Sequence, residues 1–223
     1  MKIAGFSKTS FVDYPGKIAC VVFTPFCNMK CWYCQNKQLL GENVDIIDEN
    51  IIFDYLRKRK DMIPAVVITG GEPSLQTDLP EFIKAVKELG FLVKLDTNGT
   101  NPGVIAALLQ SGLLDYIAMD VKAPLNKYFE TAGTPVDINA ISASIDIIIN
   151  SSIPYEFRTT FAPTLDMNDI LNLGEMVAGA KAYYLQQYRL NEKADMPAHV
   201  RFYIEETAKK MKSKIGVCEV RGL

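Results

Sequence analysis

Six short apolar runs, each followed by a stretch of helical periodicity, restrict the possible folds of this chain more than any other feature. The runs cover 18–24, 65–69, 91–95, 116–119, 155–161 and 182–188. Continuous apolar runs of this length suit strands buried in a parallel sheet. The helices between them carry their own signals. Asp48 caps the first, with Ile51, Ile52, Tyr55 and Leu56 on one face. Leu79, Phe82, Ile83, Val86 and Leu89 mark the second, and Gly90 ends it. Asn101 caps the third, with Pro102 at its first position and Gly112 as its stop. Asp137 opens the fourth, which carries Ile141, Ile145 and Ile148. A fifth covers about residues 167–178, and Pro197 starts the last. Residues 2–7 read as a short strand, 13–16 as a turn, and 214–220 as a terminal strand.

Strict alternation of strand and helix means parallel βα units joined by right-handed crossovers. Six units are too few for a closed eight-stranded barrel. The expected fold is therefore α/β, a single domain over 1–223 folded as a partial, open (βα)6 TIM-type barrel. An open doubly wound sheet is the alternative.

A net charge of −2 gives no global field for nucleic acid or an anionic membrane. No apolar run reaches transmembrane length, and residues 1–8 lack the apolar core of a signal peptide. A cytoplasmic, reducing setting is expected, where clustered cysteines read as metal-binding or catalytic. Three of the five cysteines, Cys27, Cys31 and Cys34, stand at C-x3-C-x2-C spacing directly after the first apolar run. Thiolates select zinc or an iron–sulfur cluster. A closed zinc site needs four ligands. The loop offers three, and the only histidine, His199, is remote in sequence. A cubane held by three cysteines leaves one iron open for chemistry. Zinc completed by Cys20 or Cys218, a disulfide, and chance remain open at this point; in the runs where they stand, Cys20 and Cys218 read as packed thiols.

The active site of a βα barrel lies at the C-terminal ends of its strands. Every run carries or is followed by polar residues: the three cysteines, then Gly70-Gly71-Glu72-Pro73, Asp96-Thr97-Asn98-Gly99, Asp120 with Lys122, Arg158 within the fifth run, and Gln186-Gln187 in the sixth. Arg158, flanked by Phe157, needs a carboxylate partner or a bound anion if buried.

The cysteine loop, with Tyr33 in its aromatic slot, resembles the signature of the radical S-adenosylmethionine (SAM) enzymes. The string from Asp13-Tyr14-Pro15-Gly16 through Asp96-Thr97-Asn98-Gly99 to Met119-Asp120-Val121-Lys122 resembles the branch that activates glycyl radical enzymes, and most of all the activators of anaerobic ribonucleoside-triphosphate reductase. That resemblance implies a 4Fe–4S cluster on Cys27, Cys31 and Cys34, and SAM chelated to the free iron and cleaved to a 5′-deoxyadenosyl radical. It implies SAM contacts from Tyr33, Gly70, Gly71, Glu72, Asn98, Lys122 and Arg158. It also implies a monovalent cation on Asp96, Thr97 and Asp120. The implied partners are a glycyl radical enzyme, from which a glycine hydrogen is abstracted, and a one-electron donor such as flavodoxin or ferredoxin. Many relatives carry histidine where this chain has Gln35, and no cysteines for a second cluster are present. Two other functions fit the residues: a small-molecule radical SAM enzyme similar to the 7-carboxy-7-deazaguanine synthases, and a zinc-stabilised binding module without catalysis.

Overall fold

The structure, a computed structural model, describes residues 1–41, 44–188 and 198–221. Eight strands form one sheet in the order of the chain: β1 (Gly5–Tyr14), β2 (Lys17–Thr24), β3 (Ala65–Gly70), β4 (Leu92–Thr97), β5 (Tyr116–Asp120), β6 (Tyr155–Phe161), β7 (Ala182–Gln187) and β8 (Val217–Arg221). Every pair from β2 to β8 is parallel. The helices are α1 (Glu49–Arg59), α2 (Leu79–Glu88), α3 (Pro102–Gln110), α4 (Tyr128–Ala132), α5 (Ile138–Ile149), α6 (Met167–Met176) and α7 (Ala198–Met211).

The strand order never reverses, so the sheet has no topological switch point and is not doubly wound. Right-handed crossovers that always advance the same way put the helices on one face. Among the described residues β1 and β8 are the free edges, and the barrel is open.

Several expectations shift. β1 is longer than residues 2–7 and pairs antiparallel with β2 through the Pro15-Gly16 turn, where Gly16 takes φ +70°. Lys8, Thr9, Phe11 and Val12 are exposed and its register is broken twice, as suits an edge strand. Asp48 and Asp137 cap their helices through backbone N–H groups. Asn101 does not; its amide reaches back to Ser74, at 2.8 Å from Oγ. In α1, Ile52 and Leu56 are buried, but Ile51 is exposed. β8 begins at Val217, because 212–216 forms turns. Pro197 lies outside the described residues.

Period two divides each strand between two environments. Outward residues such as Cys20, Val22, Val93, Leu95, Met119 and Phe157 pack on the helices. Tyr14, Ala19, Val21, Ala65 and Val67 form a second apolar cluster on β1, β2 and β3. β4, β5 and β6 carry charged residues: Lys94, Asp96, Asp120, Glu156 and Arg158. Among the described residues, no helix is long and apolar enough to cross a membrane.

Candidate active site

The cysteine loop leaves β2 under tight backbone control. Phe26 takes φ +65°, the one described non-glycine residue in the left-handed region. Three contacts fix that turn. Gly71 N–H donates to Thr24 O at 2.8 Å, Glu72 N–H to Phe26 O at 2.7 Å, and Phe26 N–H to Leu39 O at 2.9 Å. A Cβ on Gly71 would sit 1.8 Å from Phe26 O. Gly70, which ends β3, and Gly71 after it thus let the cysteine loop lie directly on the strand end. Further along, Lys30 N–H donates to Ala132 O at 2.7 Å, and a Cβ on Gly133 would meet Lys30 O at 2.5 Å. α4, which the sequence did not reveal, is therefore the loop's second support.

The three cysteines face one cavity of about 260 Å³ at the C-terminal ends of the strands. Every residue picked out from the sequence for the cluster, SAM or a cation lines it, except Arg158. Burial pushes the Cys27 and Cys31 thiols above their ordinary range. Cys27 Sγ accepts from Met29 N–H at 3.4 Å and from the Asn98 amide at 3.7 Å. Cys20 and Cys218 are packed among core side chains away from this cavity.

Glu72 is a buried clamp. Its Oε1 accepts from Ser74 N–H at 3.0 Å and Thr97 Oγ1 at 2.7 Å, and its Oε2 from Asn98 N–H at 2.7 Å. Burial pushes its carboxyl above the usual range despite these donors. The clamp locks the loop after β3 to the loop after β4. Gly70 O accepts from the Asn36 amide at 3.3 Å. Asn98 is equally engaged: its amide donates to Asn28 Oδ1 at 2.9 Å, and its oxygen accepts from Thr100.

Arg158 stands behind the cavity wall as a bridge. Its Nε donates to Asp120 Oδ1 at 2.9 Å and its Nη1 to Asp96 Oδ2 at 3.2 Å. Lys122 Nζ reaches Asp120 Oδ2 at 3.0 Å. Burial opposes charge on Asp120, but Arg158 and Lys122 together hold its carboxyl well below the usual range. Burial also opposes charge on Lys122, and Asp120 more than offsets it. Glu156, itself buried, is held by Arg221 through two contacts of 2.9 Å and by Tyr116 Oη at 3.1 Å.

The residues fit a three-cysteine cluster. Among the described residues, no three His, Cys, Asp or Glu side chains close around a single ion. A cubane does not ask for that, since each thiolate binds a different iron. Tyr33 Oη, at the cavity wall, is buried without a partner among the described residues. A buried hydroxyl left so costs about 1–3 kcal/mol, and a ligand acceptor would relieve it. Each oxygen of Asp96 and Asp120, expected to hold a cation, already accepts from Lys94, Arg158 or Lys122, and the Thr97 hydroxyl turns to Glu72.

Residues 21–177 match the radical SAM superfamily. The chain belongs to this superfamily. A 4Fe–4S cluster and SAM are accordingly its cofactors, and it is an enzyme. It is 38% identical to a protein of Methanocaldococcus jannaschii provisionally named a glycyl-radical enzyme activating enzyme, over 86% of this chain and 82% of that one. Two solved structures share the fold. Streptococcus suis SuiB bound to its precursor peptide SuiA superposes with a TM-score of 0.69 at 16% identity, over 91% of this chain and 48% of SuiB; the chain thus spans about half of SuiB. A domain of a Bacteroides vulgatus pyruvate-formate lyase-activating enzyme gives 0.57 at 17% identity, over 71% of this chain and 99% of that domain.

Sequence reasoning missed Lys94 and Glu156. Both were visible as charges two residues before Asp96 and Arg158, hence on the same strand face as each.

Proposed function

We propose that this radical SAM enzyme activates a glycyl radical enzyme, of the anaerobic ribonucleotide reductase kind, by removing a hydrogen atom from a backbone glycine of that partner. The observation that carries the reading is the likeness to the M. jannaschii protein, which spans most of both chains. Cys27, Cys31 and Cys34 would hold the cluster. Cluster and SAM together would supply the one-electron cleavage that yields a 5′-deoxyadenosyl radical. Tyr33, Gly70, Gly71, Glu72, Asn98 and Lys122 would form the SAM site, and Arg158, expected to touch SAM, would act from behind it by holding Asp96 and Asp120.

The chain's own groups divide the work of binding. Lys122 presents positive charge at the cavity, where a ligand carboxylate would be attracted. Glu72 fixes the two loops that shape the cavity floor, so the donors are oriented before a ligand arrives. The Tyr33 hydroxyl offers a hydrogen bond in a dry setting. The unpaired edges of β1 and β8 leave the barrel open at the side, where a loop of a large protein can approach. A flavodoxin or ferredoxin would serve as the electron donor.

The test mixes reduced protein, SAM and a candidate anaerobic ribonucleotide reductase without oxygen. A glycyl-radical doublet in electron paramagnetic resonance should appear on the partner, together with 5′-deoxyadenosine. Replacing the partner's radical glycine by alanine should abolish the doublet. Deoxyadenosine formed only with a small molecule, and never with a glycyl radical enzyme, would overturn the reading.

A further inference from the structure

We propose that Lys94 is a tethered cation: its ammonium takes the place of a free monovalent ion beside Asp96, and the site works without Na⁺ or K⁺. Four carboxylate oxygens face four donors. Lys94 Nζ lies 2.5 Å from Asp96 Oδ1 and Arg158 Nη1 3.2 Å from Asp96 Oδ2. Arg158 Nε lies 2.9 Å from Asp120 Oδ1 and Lys122 Nζ 3.0 Å from Asp120 Oδ2. Every oxygen of the pair already takes a cationic donor, so a free ion would have to share an oxygen with an ammonium or the guanidinium. The hydroxyl of Thr97, a third expected ligand, is spent on Glu72 at 2.7 Å.

Burial makes this arrangement decisive. The Lys94 side chain is 1% exposed, and an ammonium that deep persists only with a counter-charge. Tyr116 adds its ring face, 5.9 Å from Nζ. Lys94 reaches Asp96 because both point inward from β4, two residues apart. Three cations then serve two carboxylates. A fourth cation would meet repulsion and would have to displace an ammonium that cannot diffuse away.

The surplus positive charge has a use. Asp96, Asp120 and Lys122 line the cavity, whereas Lys94 and Arg158 stand behind them. By neutralising Asp96 from behind, Lys94 leaves the charge of Lys122 available to an anionic ligand group. Lys94 is thus a positioning residue for SAM. This inference rests on membership of the radical SAM superfamily and not on the identity of a partner protein, and no arm of its test contains one.

The experiment compares NaCl, KCl and tetramethylammonium chloride at equal ionic strength. For the apo protein, ²³Na line width and thermal midpoint are recorded; for the reconstituted protein, SAM affinity is measured by equilibrium dialysis. The wild type should show no saturable Na⁺ binding, one midpoint and one SAM affinity in all three salts. Lys94→Gln should gain saturable Na⁺ binding. Its SAM affinity should fall about tenfold or more in tetramethylammonium, the size of one charge-assisted contact, and recover in NaCl or KCl. Lys94→Arg, which keeps the charge, should stay indifferent to salt. Saturable Na⁺ binding to the wild type that disappears in Asp120→Asn overturns the proposal, and this arm decides even where Lys94→Gln does not fold. Salt-independent SAM affinity in a folded Lys94→Gln overturns it as well.

Discussion

Gly71→Ala is the sharpest probe of how the cysteine loop is seated. The added methyl would stand 1.8 Å from Phe26 O and 2.5 Å from Phe26 C, while ordinary contact begins near 3.4 Å. Both partners are backbone, so no side chain can swing aside. The loop or the end of β3 must move by more than an ångström. That motion breaks the bonds from Gly71 N–H to Thr24 O and from Glu72 N–H to Phe26 O. Each is worth about 0.5–1.5 kcal/mol net, and overpacking adds about 1–3 kcal/mol. The expected loss is about 2–6 kcal/mol, read by urea unfolding of the apo protein. Cys27 follows Phe26 directly, so iron uptake on anaerobic reconstitution should fall too. Gly103→Ala is the control. Nothing lies within 4 Å of its added Cβ, and it sits in α3. There alanine should be neutral or stabilising by up to about 1 kcal/mol. If Gly71→Ala unfolds like Gly103→Ala and binds full iron, the loop is not seated as described.

Three further outcomes are expected. Alanine at Cys27, Cys31 or Cys34 should abolish iron binding, while Cys20→Ala, a core truncation, should lower stability and leave iron content intact; full iron in Cys31→Ala would contradict the ligand set. Arg158→Ala strips a shared partner from two carboxylates that each keep one lysine, so apo stability should drop by about 1.5–3 kcal/mol, and an unchanged urea midpoint would refute the bridge. The Asp120 carboxyl is held low in the folded state, so its ion pairs stabilise above the unfolded value near ~4 and fade only as pH falls below it. Asp120→Asn should therefore lie furthest from the wild type above that pH and converge with it in acid; divergence toward acid would show the sign to be wrong.

The architecture was legible because its signals are local. Apolar runs separated by capped helices announce parallel units, and β6 matches its run end to end. β1 was cut short because an edge strand has one wet face and no continuous apolar run. α4 is five residues long, too short for periodicity to register. The site was legible as a set of residues but not as a set of partnerships. Asp96, Thr97 and Asn98 look like one ligand cluster in the sequence. In the fold they serve three directions: Asp96 inward to Lys94 and Arg158, Thr97 to Glu72, and Asn98 to the cysteine loop. Strand pleat separates neighbours that the sequence joins, and brings together Asp96 and Arg158, 62 positions apart.

The contacts around the cysteines bear on when the loop becomes ordered. A small zinc domain folds only as it captures its metal, because little else fixes its ligands. Here the protein fixes them itself. β3 holds the loop through Gly71 and Glu72, residue 39 holds Phe26, and the end of α4 holds Lys30. The strain at Phe26 persists only because these neighbours over-determine it. The loop should therefore be seated before iron arrives, and the apo protein should keep it. Amide hydrogen exchange reads this directly, since each anchor is a backbone N–H. In apo protein held without oxygen, the amides of Phe26, Lys30, Gly71 and Glu72 should exchange with protection close to that of β3 amides. Adding the cluster should raise that protection further only by mass action, without creating it. Exchange of these four amides at unfolded-chain rates in the apo protein, with protection appearing only after reconstitution, would mean that the cluster organises the loop and not the reverse.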